Sequence, residues 1–152
     1  IMKRDLGADV LDLPGGGAAG GMGAGCAALL GGALRSGIDA VLDAVGFDAA
    51  LAGADLVITG EGRVDSQSVD GKVISGVAAR TREKGVPLVV IAGGIDDSAA
   101  AAYELGVSAM FSTDRAALSV DKLAGRTAAD YEATLRDVLR LVRIAEDIGR
   151  RA

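Results

Sequence analysis

The segment from Thr59 to Lys72, TGEGRVDSQSVDGK, sets Glu61, Arg63, Asp65, Asp70 and Lys72 among glycines, with apolar chain on either side. A surface turn needs one or two polar residues, so both signs of charge packed this closely point to a charged ligand. Phosphoryl transfer asks for this mixture: carboxylates for a metal ion, a cation on the transferring group, and an acid or base beside the attacking hydroxyl. Glu61, Arg63, Asp65 and Lys72 supply every one of these types, with Glu61 and Asp65 as the metal candidates. Gly60, Gly62 and Gly71 let the backbone approach a ligand. The plainer account is a set of loop salt bridges, each worth little.

A second candidate lies upstream. Gly15 to Gly20, GGGAAG, satisfies the G-x-G-x-x-G pattern, and Asp39 follows at about the distance a dinucleotide site wants. The preceding DVLDLP is a poor strand, broken by Asp12 and ended by Pro14, which weakens a nicotinamide or flavin reading. The alternatives are an anion held by the backbone N–H groups of Gly15, Gly16, Gly17 and Gly20 at a helix start, or glycines that merely permit close helix packing. Gly71-Lys72 invites comparison with a P-loop and fails it. Ser66 stands at the first P-loop glycine, and Val73 stands where a Ser or Thr would hold magnesium.

Composition narrows the field. The chain has 152 residues, enough for a domain with a real core, and only 3% are aromatic. The core must therefore be built from Val, Ile, Leu and Ala. A net charge of -5 with no basic stripe argues against a nucleic-acid surface. No histidine is present, which removes Ser-His-Asp and Cys-His mechanisms and most zinc sites from this chain. The one cysteine, Cys26, sits in an uncharged Gly/Ala run and reads as a small buried thiol. The run from Leu13 to Leu34 is long enough to raise a membrane span, but Pro14 and repeated glycines argue against it. With no signal-peptide pattern and no possible internal disulfide, a cytoplasmic protein is expected. Ile1 ahead of Met2 suggests a fragment.

The elements that must position the charged segment follow from Asp55 onward. DLVITG reads as a buried strand ending in glycine, Val73 to Lys84 as a helix with Gly85 just past its end, and VPLVVIAGG as a second strand. Asp96 or Asp97 would cap a helix to Leu105, closed by Gly106. VSAMFST is a third strand, and Ser119 to Leu123 a short helix. A long final helix would open with Thr127 as N-cap and Asp130 three residues on. Its apolar positions are Tyr131, Leu135, Val138, Val142 and Ala145. Alternating strands and helices predict an α/β domain: a parallel, Rossmann-like layered sheet with flanking helices over 55–152. Ligands of such sheets sit beyond the carboxyl ends of the strands, where the charged segment, Gly93-Gly94 and Ser112-Thr113 all fall. Residues 1–54 read as a Gly/Ala-rich segment followed by a helical stretch capped by Asp39 and Asp48, a hinge or part of a second domain.

Beyond these readings, PGGGAAGGMGAG, the run from GIDAVLDAVGFD through TGEGRVDSQSVDGKVISGVA, and GVPLVVIAGG together resemble the C-terminal part of the bacterial glycerate kinases, whose motif is TGEGR-x-D-x-Q-[ST]-x-x-GK-x-P-x-GVA. The resemblance runs over roughly residues 9–145. It implies an ATP- and Mg2+-dependent kinase acting on a hydroxyl of glycerate, the 2-hydroxyl in many members. Gly60, Glu61, Gly62, Arg63, Asp65, Gln67, Gly71 and Lys72 occupy the motif positions. Placed on them, the chemistry gives Asp65 to the glycerate hydroxyl and Arg63 to a carboxylate or to transferring charge. Glu61 would take magnesium and Lys72 phosphate. Gly16 stands where alanine is usual, Ser68 uses the alternative to Thr, and Ile74 replaces a common Pro at a helix start, where Pro is optional. The family's N-terminal half is absent from this chain, so the resemblance implies half a site and no useful activity in isolation. Two other classes stay open: a non-catalytic module that binds a small anion or nucleotide, and a nicotinamide-dependent enzyme.

Overall fold

The three β-branched runs become three strands, β1 (Val57–Val64), β2 (Leu88–Ile95) and β3 (Val107–Ser112). A computed structural model of the chain describes residues 1–69, 72–116, 120–123 and 125–151. All pairings are parallel, in the order β1-β2-β3. Val57 lies opposite Leu88 and Val64 opposite Ile95. On the other side Leu88 lies opposite Val107 and Ala92 opposite Ser112, with a register shift between Leu88 and Val89. The α/β class expected from the sequence is the one found.

The described residues form two units, Ile1–Ala40 and Val41–Ala152. In the larger unit, helix α5 (Val73–Lys84) packs on β1 and β2, and α6 (Ala101–Leu105) on α5 and β3. The long α8 (Thr127–Gly149) packs on β2. Strand alternation divides the central strand between two helical layers. Val89 and Ile91 cluster with Val138 and Leu135 of α8, whereas Leu88 and Val90 are buried on the opposite side. Ile74, Val77 and Ala78 of α5 complete the core. Fully burying an aliphatic side chain such as Ile74 contributes about 1.5–3 kcal/mol, and small residues such as Ala78, Ala99 and Ala102 keep the layers close. Thr81 is buried inside α5, and its hydroxyl donates back to the Val77 and Ala78 carbonyls. Gly85, at φ 68°, ends that helix, and its N–H caps the Arg82 carbonyl.

Several local expectations change. The first strand does not end at Gly60. It runs on through Glu61, Gly62 and Arg63 to Val64, because the main chain keeps its register against Ile91, Ala92, Gly94 and Ile95 whatever the side chains are. The stretch after Asp39 is two helices, α3 (Gly37–Ala44) and α4 (Phe47–Leu51), separated at left-handed Gly46. Asp39 and Asp48 sit in first turns rather than at caps. The Ser36 hydroxyl accepts the Asp39 N–H, and the Asp48 carboxylate is held by Arg80. Asp96 does precede the next helical turn, Asp97–Ala100, but its side chain bonds no amide there. Arg126, not Thr127, occupies the cap position of α8. The Thr127 hydroxyl turns back to the Leu123 carbonyl, and Asp130 takes the Arg126 guanidinium. The buried face of α8 is Asp130, Thr134 and Val138, while Tyr131 and Ala145 of the expected stripe are exposed. A short α7 (Val120–Leu123) matches the expected helix except for Ser119, which lies outside the described residues.

In the smaller unit, α1 (Met2–Leu6) precedes a turn at Pro14–Gly17 and α2 (Ala18–Leu30). Ala19, Gly20 and Gly21 take left-handed dihedrals, so the regular helix starts only after them. Close packing is real at Gly23, where an added Cβ would meet the Gly15 carbonyl at 3.0 Å and the Leu34 side chain at 3.3 Å. Among the described residues no helix is both long and apolar enough to cross a membrane.

Candidate active site

The carboxyl ends of the three strands open into one cavity of about 840 Å³. Its floor is the backbone of Gly60, Gly62 and Gly93 with the Ile91 side chain, and Glu61 stands among them. Thr113 and Asp114, just past β3, line a second side. Leu123, Ala128, Asp130 and Tyr131, from α7 and the first turns of α8, line a third. At Gly93 the floor is bare because a side chain does not fit it. A Cβ on Gly93 would come within 2.5 Å of the Gly62 carbonyl oxygen, closer than real atoms pack. Ser112 ties the third strand end to this floor: its hydroxyl lies 3.2 Å from the Gly93 carbonyl and accepts the Asp114 N–H at 3.0 Å.

Of the residues singled out in the sequence, Gly60, Glu61, Gly62 and Gly93 line this cavity. Arg63, also on β1, is not among the lining residues; it is exposed, with its Nη2 held by both Asp96 carboxylate oxygens at 2.7 and 2.9 Å. The hydrogen bond and charge of Asp96 raise the Arg63 pKa above its usual value, with a smaller push from Asp65, so the guanidinium stays charged. Gly94 faces Arg63 across the ladder, and the Arg63 stem lies 3.8 Å from where its Cβ would be. A bare backbone here lets the side chain reach across β2 to Asp96.

Asp65 follows β1 and is half-buried. Its N–H donates to the Ser68 hydroxyl at 3.2 Å, and that hydroxyl lies 3.4 Å from the Asp65 carboxylate. Ser66 is fastened to Ser98 by a 3.1 Å bond, so the turn after β1 is anchored to the turn after β2. Lys72 is exposed immediately before α5. Gly71 and the Gln67 side chain lie outside the described residues. Gly15, Gly16, Gly17 and Gly20 belong to the smaller unit, where the Gly16 and Gly21 amides already donate to the Leu13 and Gly17 carbonyls.

Among the described residues no three His, Cys, Asp or Glu side chains converge as a metal cage. Magnesium in phosphoryl-transfer sites is held by one or two carboxylates together with substrate phosphates, and Glu61 in the cavity floor is a donor of that kind. The sequence reading placed Thr113 at a strand end where ligands sit but missed Asp96, Asp114, Asp130 and Tyr131 as site residues. Position after a strand end marked Asp96 and Asp114. Asp130 and Tyr131 reach the cavity only because α8 packs back over β2, and no local pattern announces that.

The chain is similar to known proteins over most of its length. Residues 1–143 match the model of the glycerate kinase family. A glycerate kinase of Bacillus cereus is 40% identical over 147 residues, which is 97% of this chain and 39% of that protein. A glycerate 2-kinase of Escherichia coli K12 is 46% identical over 112 residues, 74% of this chain and 29% of that protein. The crystal structure of a Salmonella typhimurium LT2 protein assigned as a glycerate kinase 2 superposes with a TM-score of 0.72 at 41% identity, covering 96% of this chain and 37% of that one. The chain thus spans about two fifths of the length of the relatives it matches.

Proposed function

The chain belongs to the glycerate kinase family, and from that premise we propose that it carries part of the site at which the γ-phosphoryl group of ATP passes to a hydroxyl of glycerate, the 2-hydroxyl before the 3-hydroxyl. In that reaction the glycerate oxygen bonds to the γ-phosphorus, the bond from phosphorus to the ADP oxygen breaks, and the hydroxyl proton leaves to a base. Asp65 is that base or orients the hydroxyl. Arg63 offers its remaining N–H groups to the glycerate carboxylate, which suits a planar fork held from behind by Asp96. Glu61 holds magnesium, which when bound neutralises charge on the phosphates. Lys72 and Gly71 meet phosphate, and Gln67 belongs to the same turn. The glycines at 60, 62 and 93 bring main chain rather than side chains to the ligand. An anion at Gly15 to Gly20 remains part of the same proposal.

The observation that carries this reading is the position of the TGEGRVD segment: Glu61 in a cavity at the strand ends, and Arg63, two residues on in the same strand, held by a carboxylate. Phosphorus NMR tests it, on the full-length product of the gene with ATP, magnesium and D-glycerate. A 2-phosphoglycerate signal is expected from that protein, and none from the 152-residue chain alone, which spans too little of its relatives to close a two-sided site. Absence of product from the folded full-length protein favours a module that binds a nucleotide or small anion without turnover.

A further inference from the structure

The cavity at the strand ends and the cations of the charged segment do not coincide, and their separation assigns them to different ends of one ligand. Among the described lining residues there is no Lys or Arg, whereas Glu61, Asp114 and Asp130 all contribute. Asp130 is neutralised by Arg126, whose Nε and Nη2 reach its two oxygens at 3.0 and 2.9 Å, and this pairing holds the Asp130 carboxyl below its usual pKa. Asp114 forms no ion pair among the described residues. An anionic group moved into this cavity would lose its water and face carboxylate rather than cation, an arrangement that sites for anions avoid. The rest of the lining suits an uncharged planar group with hydroxyls attached. Ile91, Leu123 and Tyr131 are apolar walls, and the glycine floor is flat. A volume near 840 Å³ is that of a small-molecule site.

We propose that this cavity receives the nucleoside end of the phosphoryl donor, base against Tyr131 and Leu123 and ribose hydroxyls donating to Asp114, while the phosphates leave it past Glu61 toward the end of β1 that carries Arg63. The polarity of the ligand follows from the sheet. The base lies over β2 and β3 under α8, and the phosphate chain runs toward β1, which carries the Arg63 guanidinium. The inference rests on the kinase reading for the identity of the donor, but its two halves are tested separately.

Adenosine, which carries no phosphate, is titrated into the isotope-labelled 152-residue chain and followed by amide NMR, in parallel with D-glycerate. Adenosine is expected to shift the amides of Gly60, Gly93 and Tyr131, and glycerate to leave them in place. Shifts there with glycerate, or none with adenosine, overturn the assignment. In the full-length product, Ala128→Leu adds bulk from an exposed wall of the cavity and Tyr131→Ala removes the apolar wall. Each is expected to raise the KM for ATP about tenfold and leave that for glycerate within about twofold. A rise confined to glycerate overturns the proposal while the kinase reading stands. Adenosine shifts in a protein whose full-length product forms no phosphoglycerate would do the reverse.

Discussion

Arg63 is the residue at which chemistry and architecture meet. Its guanidinium pairs with an ionised partner outside the segment's own turn, Asp96, 33 residues on. A surface pair of this kind adds little to stability, so its effect is expected in orientation. An arginine free to rotate loses entropy when it clamps a ligand, whereas one already held at Nη2 does not. Asp96→Ala in the full-length protein is therefore expected to raise the KM for glycerate about tenfold with a smaller change in kcat, while the melting midpoint stays within a few degrees. Asp96→Glu is expected to recover much of the loss, and Asp96→Asn little. Equal losses in kcat and kcat/KM, with a KM unchanged, would show that Asp96 does not act by positioning a binding group. The sequence made Arg63 conspicuous but not Asp96, which read as a helix cap. An aspartate before a helix satisfies that expectation on its own, and only the parallel register of β1 and β2 brings it across to Arg63.

Among the elements, the strands show why backbone rather than side chains shapes this site. Gly62 and Gly93 lie on neighbouring strands where the main chains come unusually close, and the Gly62 carbonyl fills the space a Gly93 side chain would need. Gly93→Ala must push β1 and β2 apart, and overpacking of this sort costs about 1–3 kcal/mol. The expected result is a lowered denaturation midpoint together with loss of turnover. Gly62→Ala meets nothing within 4 Å, so its expected cost in stability is about 0.5 kcal/mol or less, with the methyl group facing the cavity and weakening nucleotide binding. Urea titration of both variants checks the contrast, and equal destabilisation would mean that the close approach is not a constraint. These elements also mark how far the sequence could be read. Helix α5 and its Gly85 end, the α6 stop at Gly106, and all three strands follow from local pattern. The continuation of β1 through GEGRV does not, because glycine and charge disfavour strands locally and the ladder with β2 overrides that preference. The split of α3 from α4 was written in Gly46, yet an Ala-rich helical pattern on both sides masked it. The front of α2 escaped for the same reason, since three left-handed residues in a Gly/Ala run leave no periodicity to read.

The whole molecule divides in a way that bears on what each part needs. Every described residue lining the cavity falls between Gly60 and Tyr131, and the principal buried aliphatics, Leu42, Leu51, Ile74, Leu88, Val90, Ile91 and Val138, fall within the unit Val41–Ala152. A sheet with helices on both faces and its own core satisfies the conditions for independent folding. The Gly/Ala-rich segment, by contrast, has no buried residue in α1 or α2. A shortened chain is best begun at Ser36, because its hydroxyl and carbonyl accept the Asp39 and Ala40 amides at the start of α3, and a cut inside that turn would fray it. The chain from Ser36 to Ala152 is expected to melt cooperatively, with a midpoint within about 5 °C of the 152-residue chain, and to keep the adenosine-induced shifts at Gly60, Gly93 and Tyr131. Dispersed amide spectra with those shifts retained would place nucleoside recognition wholly in the α/β unit. A folded shortened chain that no longer responds to adenosine would instead overturn the assignment of the nucleoside site to this unit.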